Sequence, residues 1–473
     1  MQLIKIHLNF SIFVDYLPFS NKYILNIMAN TIRIKKGLNI NLVGEAKKEI
    51  SAIDAGRYAI KPTDFLGVFP RLLVKEGDTV KAGTPLFIDK YRENIIFTSP
   101  VSGVIEEISR GDKRVLEEIR IKSGTKPEFE DFGIANPSTT DRGDIIEKLL
   151  KSGVWPVIRQ RPYTIIANPA DTPKAIYISG FDSAPLAPDY SMIAKEGISD
   201  FQTGIDVLNK LAGQPVRLGL PGGKNDFPKV SNADITYFEG PHPAGNVGIQ
   251  IHKTDPINKG DIVWIVNPQD VIIIGRLFSK GIYDASIIIP LCGSEVKSPK
   301  YYKTYKGASV RAIASDNIQA GAVRFISGNA LTGTRIKPDG FLGFYQNQVT
   351  VIPEGNYFEF FGWALPGLNK FSFSKSFVSY LTPTRKYRLD TNFHGAERAY
   401  VMTGQYEKVL PMDIYPMQLI KACLAENIEM MENLGIYEVD EEDFALIEFI
   451  DTSKTEVQHI IRKGLDLIRK EMS

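Results

Sequence analysis

Residues 238–278, FEGPHPAGNVGIQIHKTDPINKGDIVWIVNPQDVIIIGRLF, decide how the rest of the chain is read. Pro241 and Pro243 flank His242, and Gly240, Gly245 and Gly248 fall within nine residues. Proline fixes φ and removes an amide donor, whereas glycine permits positive φ and close backbone approach, so the loop is both stiff and bare. It follows the apolar run Ile235 to Phe238, which reads as a strand. The loop is therefore expected beyond the carboxyl end of a sheet strand, where open α/β sheets place their ligands. Two readings stay open: a crevice wall, or a rigid turn packed against the chain's own next domain. Two apolar, β-branched runs follow, Ile262 to Val266 and Val271 to Ile274.

Upstream, Thr125 to Glu239 alternates helix and strand signals and predicts an α/β layer. A helix at Asp144 to Ser152 precedes the apolar runs Thr164 to Ala167 and Ala175 to Ser179. Phe201, Ile205, Leu208 and Leu211 recur at helical spacing until Gly213 stops the helix, and Val216 to Leu220 reads as a further strand. A dinucleotide site needs G-x-G-x-x-G between strand and helix so that amides can approach pyrophosphate, and that spacing is absent. The nearest glycine loop, LPGGK at Leu220 to Lys224, reads as a plain turn.

Further upstream, Ile60 to Ile121 is a series of short strands separated by turn signals. VKEGDTVKAGTPLFIDKYRENIIFTSPVSGVIEEI resembles the biotinyl/lipoyl type of flattened β-barrel, in which a hairpin-tip lysine carries a swinging cofactor. Lys90 is the candidate. It precedes Pro100 by ten residues, farther than in the carrier hairpins it resembles, so the tip is expected to be long, holding Tyr91, Arg92, Glu93 and Asn94. Covalent modification of Lys90 is accordingly disfavoured.

Downstream, about Ile273 to Val349 returns to strands at Ser286 to Leu291, Ala308 to Ile313, Arg324 to Ser327 and Gln348 to Val351. Arg311 and the loop NALTGTR, Asn329 to Arg335, offer hydrogen-bond donors. The C-terminal third predicts helices. Asp413 is a possible cap for one carrying Met417, Ile420, Leu424, Ile428 and Met431 to Gly435, and Ser453 with Glu456 suggests a capping box before Val457. The acidic run Glu438 to Asp443 reads as a solvated helix start, not a metal site.

Composition bounds the function. The 473 residues are 43% hydrophobic and 23% charged, with a net charge of +1, which gives no electrostatic support for nucleic-acid binding. Cys292 and Cys423 lie far apart in apolar runs, which fits inert thiols in a reducing compartment and cannot build an iron–sulfur cluster. No stretch reaches the roughly 18 to 20 consecutive apolar residues of a membrane-spanning helix. Of the histidines, none has metal-ligand spacing to another histidine or to a cysteine, and the G-x-S-x-G elbow of hydrolases is absent.

The Pro- and Gly-rich loop with VWIVNPQDVIIIGRLF resembles the central signature of the A subunit of the Na+-translocating NADH:quinone reductase of bacterial inner membranes. In order along the chain, IRIKKGLNI at Ile32, FTSPVSGVIEEISRGDKRVL at Phe97, RFISGNALTGT at Arg324, GWALPGLNKFSFSKSF at Gly362, YEKVLPMDIYP at Tyr406 and YEVDEEDFAL at Tyr437 agree with it. The resemblance runs from about Ile32 to the C-terminus. Met28 is therefore expected to be the start, with Met1 to Ile27 an upstream or disordered extension.

The resemblance implies a peripheral component of a six-subunit complex, on the cytoplasmic face of the inner membrane, that passes electrons from NADH to quinone and exports Na+. Its main partner would be the membrane-embedded flavoprotein, the B subunit. FAD, FMN, riboflavin and iron–sulfur centres would sit in other subunits, and this chain would bind no cofactor. Ser152 to Asp189 further resembles the flavin domain of NADH-oxidising respiratory subunits, with Trp155 to Ile158 in place of the flavin loop and Phe181 to Pro185 in place of the Cys- and Glu-bearing run. That implies a scaffold whose flavin and cluster sites have decayed.

The expected architecture is α+β and α/β multidomain. It comprises residues 28–124 as a biotinyl/lipoyl-like barrel, 125–272 as a degenerate flavin-domain-like α/β layer, 273–350 as a β-grasp, SLBB-like domain, and 351–473 as a β and helical domain. Catalytic and metal residues are not expected. His242, with Gly240 and Gly245, is the candidate contact for quinone or a partner, against the alternative of a structural histidine. The other functions weighed are a soluble dehydrogenase of the flavoprotein type and a lipoyl or biotin carrier modified on Lys90.

Overall fold

The computed structural model describes residues 30–223, 225–362 and 364–472; the expected extension, 1–27, and the start at residue 28 lie outside the described residues. In strand Ala175–Ser179 the side chains sort into two apolar layers. Ile176 and Ile178 join Phe201, Ile205 and Leu208, while Ala175 and Tyr177 join Ile251 and Ile257. This period of two makes the strand a wall that must be covered on both faces. Helices Ile198–Ala212 and Pro268–Lys280 cover the first face, and Val247–Thr254 stands on the second.

The sheet has seven strands, ordered Thr31–Arg33, Ala233–Glu239, Val216–Pro221, Ala175–Ser179, Val263–Ile265, Arg159–Arg161, Ile165–Ile166. The first five are parallel and the last two antiparallel. From Ala175–Ser179 the chain steps outward through Val216–Pro221 to Ala233–Glu239, then crosses back to Val263–Ile265 on the other side of its starting strand. Such a reversal opens a crevice at the carboxyl ends of the two strands it separates.

The helix ending at Gly213 follows its spacing, and Gly213 takes the left-handed φ of 69° that ends it. Val271 to Ile274, in contrast, is helical. Asn267 caps that helix through the Gln269 amide, Pro268 sits in its first turn, and burial all round outweighs the strand preference of β-branched residues. A boundary between 272 and 273 falls inside it. The two long helices approach through glycines: a Cβ on Gly204 would lie 2.1 Å from the Val271 carbonyl oxygen, and one on Gly275 would lie 1.7 Å from that of Asp200.

Before the α/β unit, a four-stranded antiparallel sheet and a three-stranded one enclose Phe65, Leu86, Phe87, Ile95, Phe97, Ile105 and Ile119. Phe87 and Phe97 stack with centroids 4.4 Å apart. The hairpin Pro85–Asp89 to Arg92–Thr98 turns on Lys90 and Tyr91 alone, because Arg92 pairs with Asp89. The long tip is therefore corrected to a tight one: buried Asp89 accepts the Tyr91 amide and the Arg92 guanidinium and closes the turn. Two strands upstream of Arg57 leave this unit, Thr31–Arg33 for the α/β sheet and Lys47–Ala52 for the next sheet.

That next sheet has six strands, ordered Thr334–Ile336, Val323–Ser327, Val349–Pro353, Ser286–Cys292, Lys300–Tyr305, Lys47–Ala52. The expected strand at Ala308 to Ile313 is a short helix, Val310–Ala314. At the C-terminus the predicted single helix is two, Pro416–Leu424 and Ile428–Asn433, separated by Glu426 at φ 52°. Pro416 starts the first without a cap from Asp413, and Asn427 caps the second. Ser453 spends its hydroxyl on the Ala399 carbonyl rather than in a capping box before Val457–Met472. These helices share one core with Ile34, Phe238, Ala244 and Ile249, so the loop after residue 238 is packed against the C-terminal unit.

Candidate functional site

The Pro- and Gly-rich loop does both things its sequence left open. One side packs on the C-terminal helices, and the other walls a cavity of about 130 Å³ at the carboxyl ends of Ala175–Ser179 and Val263–Ile265. The α/β unit contributes Asp182, Tyr190, His242, Gly245 and Asn267 to the lining, the six-stranded unit contributes Asn329, Leu331 and Thr332, and the C-terminal unit contributes Glu442. Three units thus meet at the switch of the sheet.

His242 is buried and fixed by short bonds. Its amide donates to Asn39 Oδ1 at 2.9 Å and its carbonyl accepts from Leu38 at 2.8 Å. Ser183 Oγ accepts the Gly245 amide at 2.8 Å and lies 3.0 Å from His242 Nδ1. The hydroxyl keeps a second lone pair, so this contact suits either ring tautomer; where the hydroxyl donates to Nδ1, the imidazole proton sits on Nε2. Burial pushes His242 down to about 4, so at neutral pH it is an uncharged hydrogen-bond donor. Beside it, Asn267 donates to the Tyr190 hydroxyl at 2.8 Å, and burial raises the Asp182 carboxyl against the pull of the Ala184 and Ser183 amides.

Gly245 lines the cavity, where a Cβ would lie 2.5 Å from the Ser183 nitrogen. Gly240 does not line it: at φ 143° its Cα face meets Ile34, and a Cβ would lie 2.2 Å from the Ile34 carbonyl oxygen. The NALTGTR loop is brought to the cavity, whereas Arg311 is exposed elsewhere. Lys90 is exposed at its hairpin tip, with its ammonium 5.7 Å from the Tyr91 ring centroid.

The acidic run is the largest departure from the sequence reading. Asp440 and Asp443 are buried, not solvated. They cap each other across the turn Glu441–Phe444 and surround Arg161, which is 1% exposed. Its guanidinium reaches Asp443 at 2.8 Å, Glu442 at 2.5 Å and Asp440 at 3.6 Å. Arg462 adds Glu441 at 3.2 Å and the Tyr163 carbonyl at 2.8 Å.

Four carboxylates face two guanidiniums, and the excess negative charge is relieved in two ways. Burial and the charge of Asp440 raise Glu441 to about 9, and burial, against Arg161 and with Asp443, raises Glu442 to about 7. Asp440 goes the other way, because Arg161 and Arg462 outweigh its burial. The second relief is the helix Val247–Thr254: its positive N-terminal end points at Asp443, which stands against Gly248. No spacing rule pairs an arginine at position 161 with a run 280 residues later, so sequence reasoning missed this contact.

The same pattern closes the other helix starts at this edge. Asp189 caps Tyr190–Glu196 by accepting the Met192 amide and is paired with Lys48. Asn267 caps Pro268–Lys280. In nucleotide-binding proteins of this topology such N-termini hold phosphate; here the chain's own side chains occupy them. A second cavity, of about 480 Å³, lies beside helix Val247–Thr254. Its lining residue Arg217 is tied to Tyr177 at 2.7 Å and Asp255 at 3.1 Å.

Among the described residues no group of three His, Cys, Asp or Glu is placed to hold a metal ion. Cys292 and Cys423 are buried free thiols, both pushed up to about 12 by burial. No helix of the described residues is long and apolar enough to cross a membrane.

Fold and site define a multidomain α/β chain in which an α/β unit, a β-rich unit and a C-terminal helical unit close upon one crevice, with a β-barrel unit preceding them. Family models bear the same parts: residues 32–124 match the NqrA N-terminal barrel-sandwich hybrid domain, 140–283 the NqrA second alpha/beta domain, and 288–337 the NQRA C-terminal domain. The A subunit of the Na(+)-translocating NADH-quinone reductase of Hahella chejuensis is 38% identical over 445 residues, covering 93% of this chain and all of the relative. That of Pasteurella multocida is 36% identical with the same coverage. A solved NAD+-reducing hydrogenase chain in the air-oxidized state overlaps 70% of this chain and 64% of its own length at a TM-score of 0.36 and 11% identity, too distant to bear on function. The chain belongs to the family of NqrA, the A subunit of the Na(+)-translocating NADH-quinone reductase.

Proposed function

We propose that this chain is the peripheral A subunit of a complex that couples reduction of quinone by NADH to Na+ export, and that it docks on membrane-embedded subunits, chiefly the B subunit, at the cytoplasmic face. Flavins and iron–sulfur centres belong to the other subunits in this reading. The observation that carries it is a near-full-length family relationship combined with a stopped crevice. Asp189, Asn267 and Asp443 stand at the helix starts where an α/β dehydrogenase would seat its nucleotide phosphates. The α/β unit is then a flavin-domain scaffold that has lost its cofactor, kept for the surface it presents.

The test is affinity purification of the tagged chain from gently solubilised membranes, with an absorption spectrum of the chain alone. Na+-stimulated NADH:quinone reductase activity that follows the tag, and a chain without a flavin band, support the reading. A yellow chain free of membrane partners refutes it and revives the soluble dehydrogenase.

One observation favours a contribution to quinone handling as well. His242 is neutral, is held through Nδ1 by Ser183, and lines the switch-point cavity with Gly245. A neutral N–H donor suits a quinone carbonyl oxygen. The cavity of about 130 Å³ is smaller than the roughly 300–1,000 Å³ of ordinary ligand pockets, so a ring would have to open it. Photo-crosslinking of a quinone to His242-containing peptides tests this, and labelling confined to other subunits refutes it.

A further inference from the structure

Between strand Val349–Pro353 and the turn Tyr406–Lys408 the chain makes a long excursion of little regular structure, and this is where the molecule exposes its largest apolar side chains. Phe358, Phe360, Phe361, Leu368, Leu381 and Phe393 are between 53% and 106% exposed. Together they offer on the order of 800 Å² of apolar surface. About 800 Å² per partner is what a stable interface buries.

The excursion is nonetheless a built lobe. Tyr357 donates to Asp390 at 2.6 Å, the Val378 amide to the Pro366 carbonyl at 3.0 Å, and Lys370 to the Gly362 carbonyl at 2.7 Å with its ammonium 5.4 Å from the Phe377 ring centroid. Phe371 packs on Tyr387 within the lobe and anchors it to the body against Phe449. Among its described residues Phe371, Phe373, Leu389 and Tyr400 pack on the body's core, whereas the exposed rings face outward.

We infer that this lobe is the surface by which the chain docks on an apolar, acid-rimmed segment of a membrane-embedded partner in its complex; the inference rests on the functional reading above and locates it. Residues 357–402 hold six Lys and Arg against three Asp and Glu, while the whole chain is at +1. Lys386 and Arg388 are offset by Glu45 and Glu295 outside this stretch, and exposed Lys375, Arg385 and Arg398 keep its surface positive, which calls for an acidic rim opposite. A lipid surface fits less well. Lys370, Lys386 and Arg388 are paired with Glu359, Glu45 and Glu295 inside the chain. An irregular backbone, moreover, cannot satisfy its own polar groups in hydrocarbon, whereas a protein partner can pair them.

The experiment compares the complex purified through the tagged wild-type chain with that through Phe358→Ser/Phe360→Ser and, separately, Leu381→Ser/Phe393→Ser, with exposed Ile134→Ser as control. The expected result is a fall of at least about tenfold in NADH:quinone reductase activity recovered per chain for both double variants, with unchanged thermal midpoints and an unaffected control. Full recovery with both variants overturns the lobe as the docking surface while leaving the functional reading intact. No activity on the wild-type tag overturns both. Flotation of the wild-type chain with protein-free vesicles of 7:3 zwitterionic to anionic lipid, lost in the variants, or a dimer in solution that they dissociate, assigns the lobe to lipid or to a second copy and overturns the inference.

Discussion

Replacing Arg161 by Met tests whether the C-terminal unit is held by charge or by packing. The guanidinium is the shared counter-ion of Asp443, Glu442 and Asp440, at 2.8, 2.5 and 3.6 Å, and almost no water reaches it. Removing one member of a buried pair costs about 3–5 kcal/mol, chiefly because the remaining charge is stranded. Here three carboxylates lose their shared counter-ion and keep only the more distant Arg462 and Arg159, so the upper half of that range is expected at pH 8. The deficit has a pH signature. Glu441 and Glu442 already have folded values raised to about 9 and about 7 from an ordinary 4.5, so the folded state holds protons there that the unfolded chain releases. A raised carboxyl contributes stability that is present at low pH and lost as pH rises through its folded value.

Without Arg161 the value of Glu442 rises further, so variant and wild type hold different numbers of protons only above about pH 7, and the penalty grows from there upward by less than the roughly 1.4 kcal/mol per pH unit of a full proton, because solvent screens this one-third-exposed carboxyl. Denaturant unfolding followed by circular dichroism at pH 5, 6, 7 and 8 measures it. Limited proteolysis reports whether residues 404–472 are released first. The companion Arg161→Met/Asp443→Leu removes both charges and is expected to recover part of the loss. A single-variant loss below about 1 kcal/mol, or one that does not change with pH, would falsify the buried-charge account and leave packing as the tether.

Three further outcomes follow from the same structure. Gly275→Ala drives a Cβ into the Asp200 carbonyl at 1.7 Å and is expected to cost about 1–3 kcal/mol or more, whereas Gly143→Ala, in a helix with nothing within 4 Å, is expected to gain up to about 1 kcal/mol; equal melting shifts for the two would refute the close helix crossing. Because burial holds His242 at about 4 instead of 6.5, the unfolded chain takes up a proton that the folded one refuses as pH falls from 6.5 to 4, so stability declines through that window and is unaffected above it. His242→Gln should flatten that decline, and an imidazole titrating near 6.5 by NMR would contradict it. Ser183→Ala strands the Gly245 amide and frees Nδ1, for an expected loss of about 1–3 kcal/mol; an unchanged His242 nitrogen chemical shift would show that Ser183 does not set its tautomer.

What the chain alone determined is local. Phe201, Ile205, Leu208 and Leu211 define a buried helix face wherever they are placed, because helical periodicity acts over a few residues, and Gly213 ends the helix because its φ of 69° is available to glycine at no steric cost. The stiffness of the loop around His242 is likewise written in Pro241, Pro243 and its glycines. The ordered set of motifs carried the family.

Tertiary structure decided the rest. Val271 to Ile274 has the composition of a strand and became a helix once Asn267 and Pro268 started one and burial covered every side. Lys90 sits on a tight turn because buried Asp89 draws Arg92 into pairing, a bond that residue spacing does not reveal. Asp440 and Asp443, by composition part of a solvated helix start, lost their water to Arg161, 279 and 282 residues earlier in the chain. Charge at a given position has no meaning until folding sets the dielectric around it and the counter-ion beside it, and both come from distant parts of the sequence.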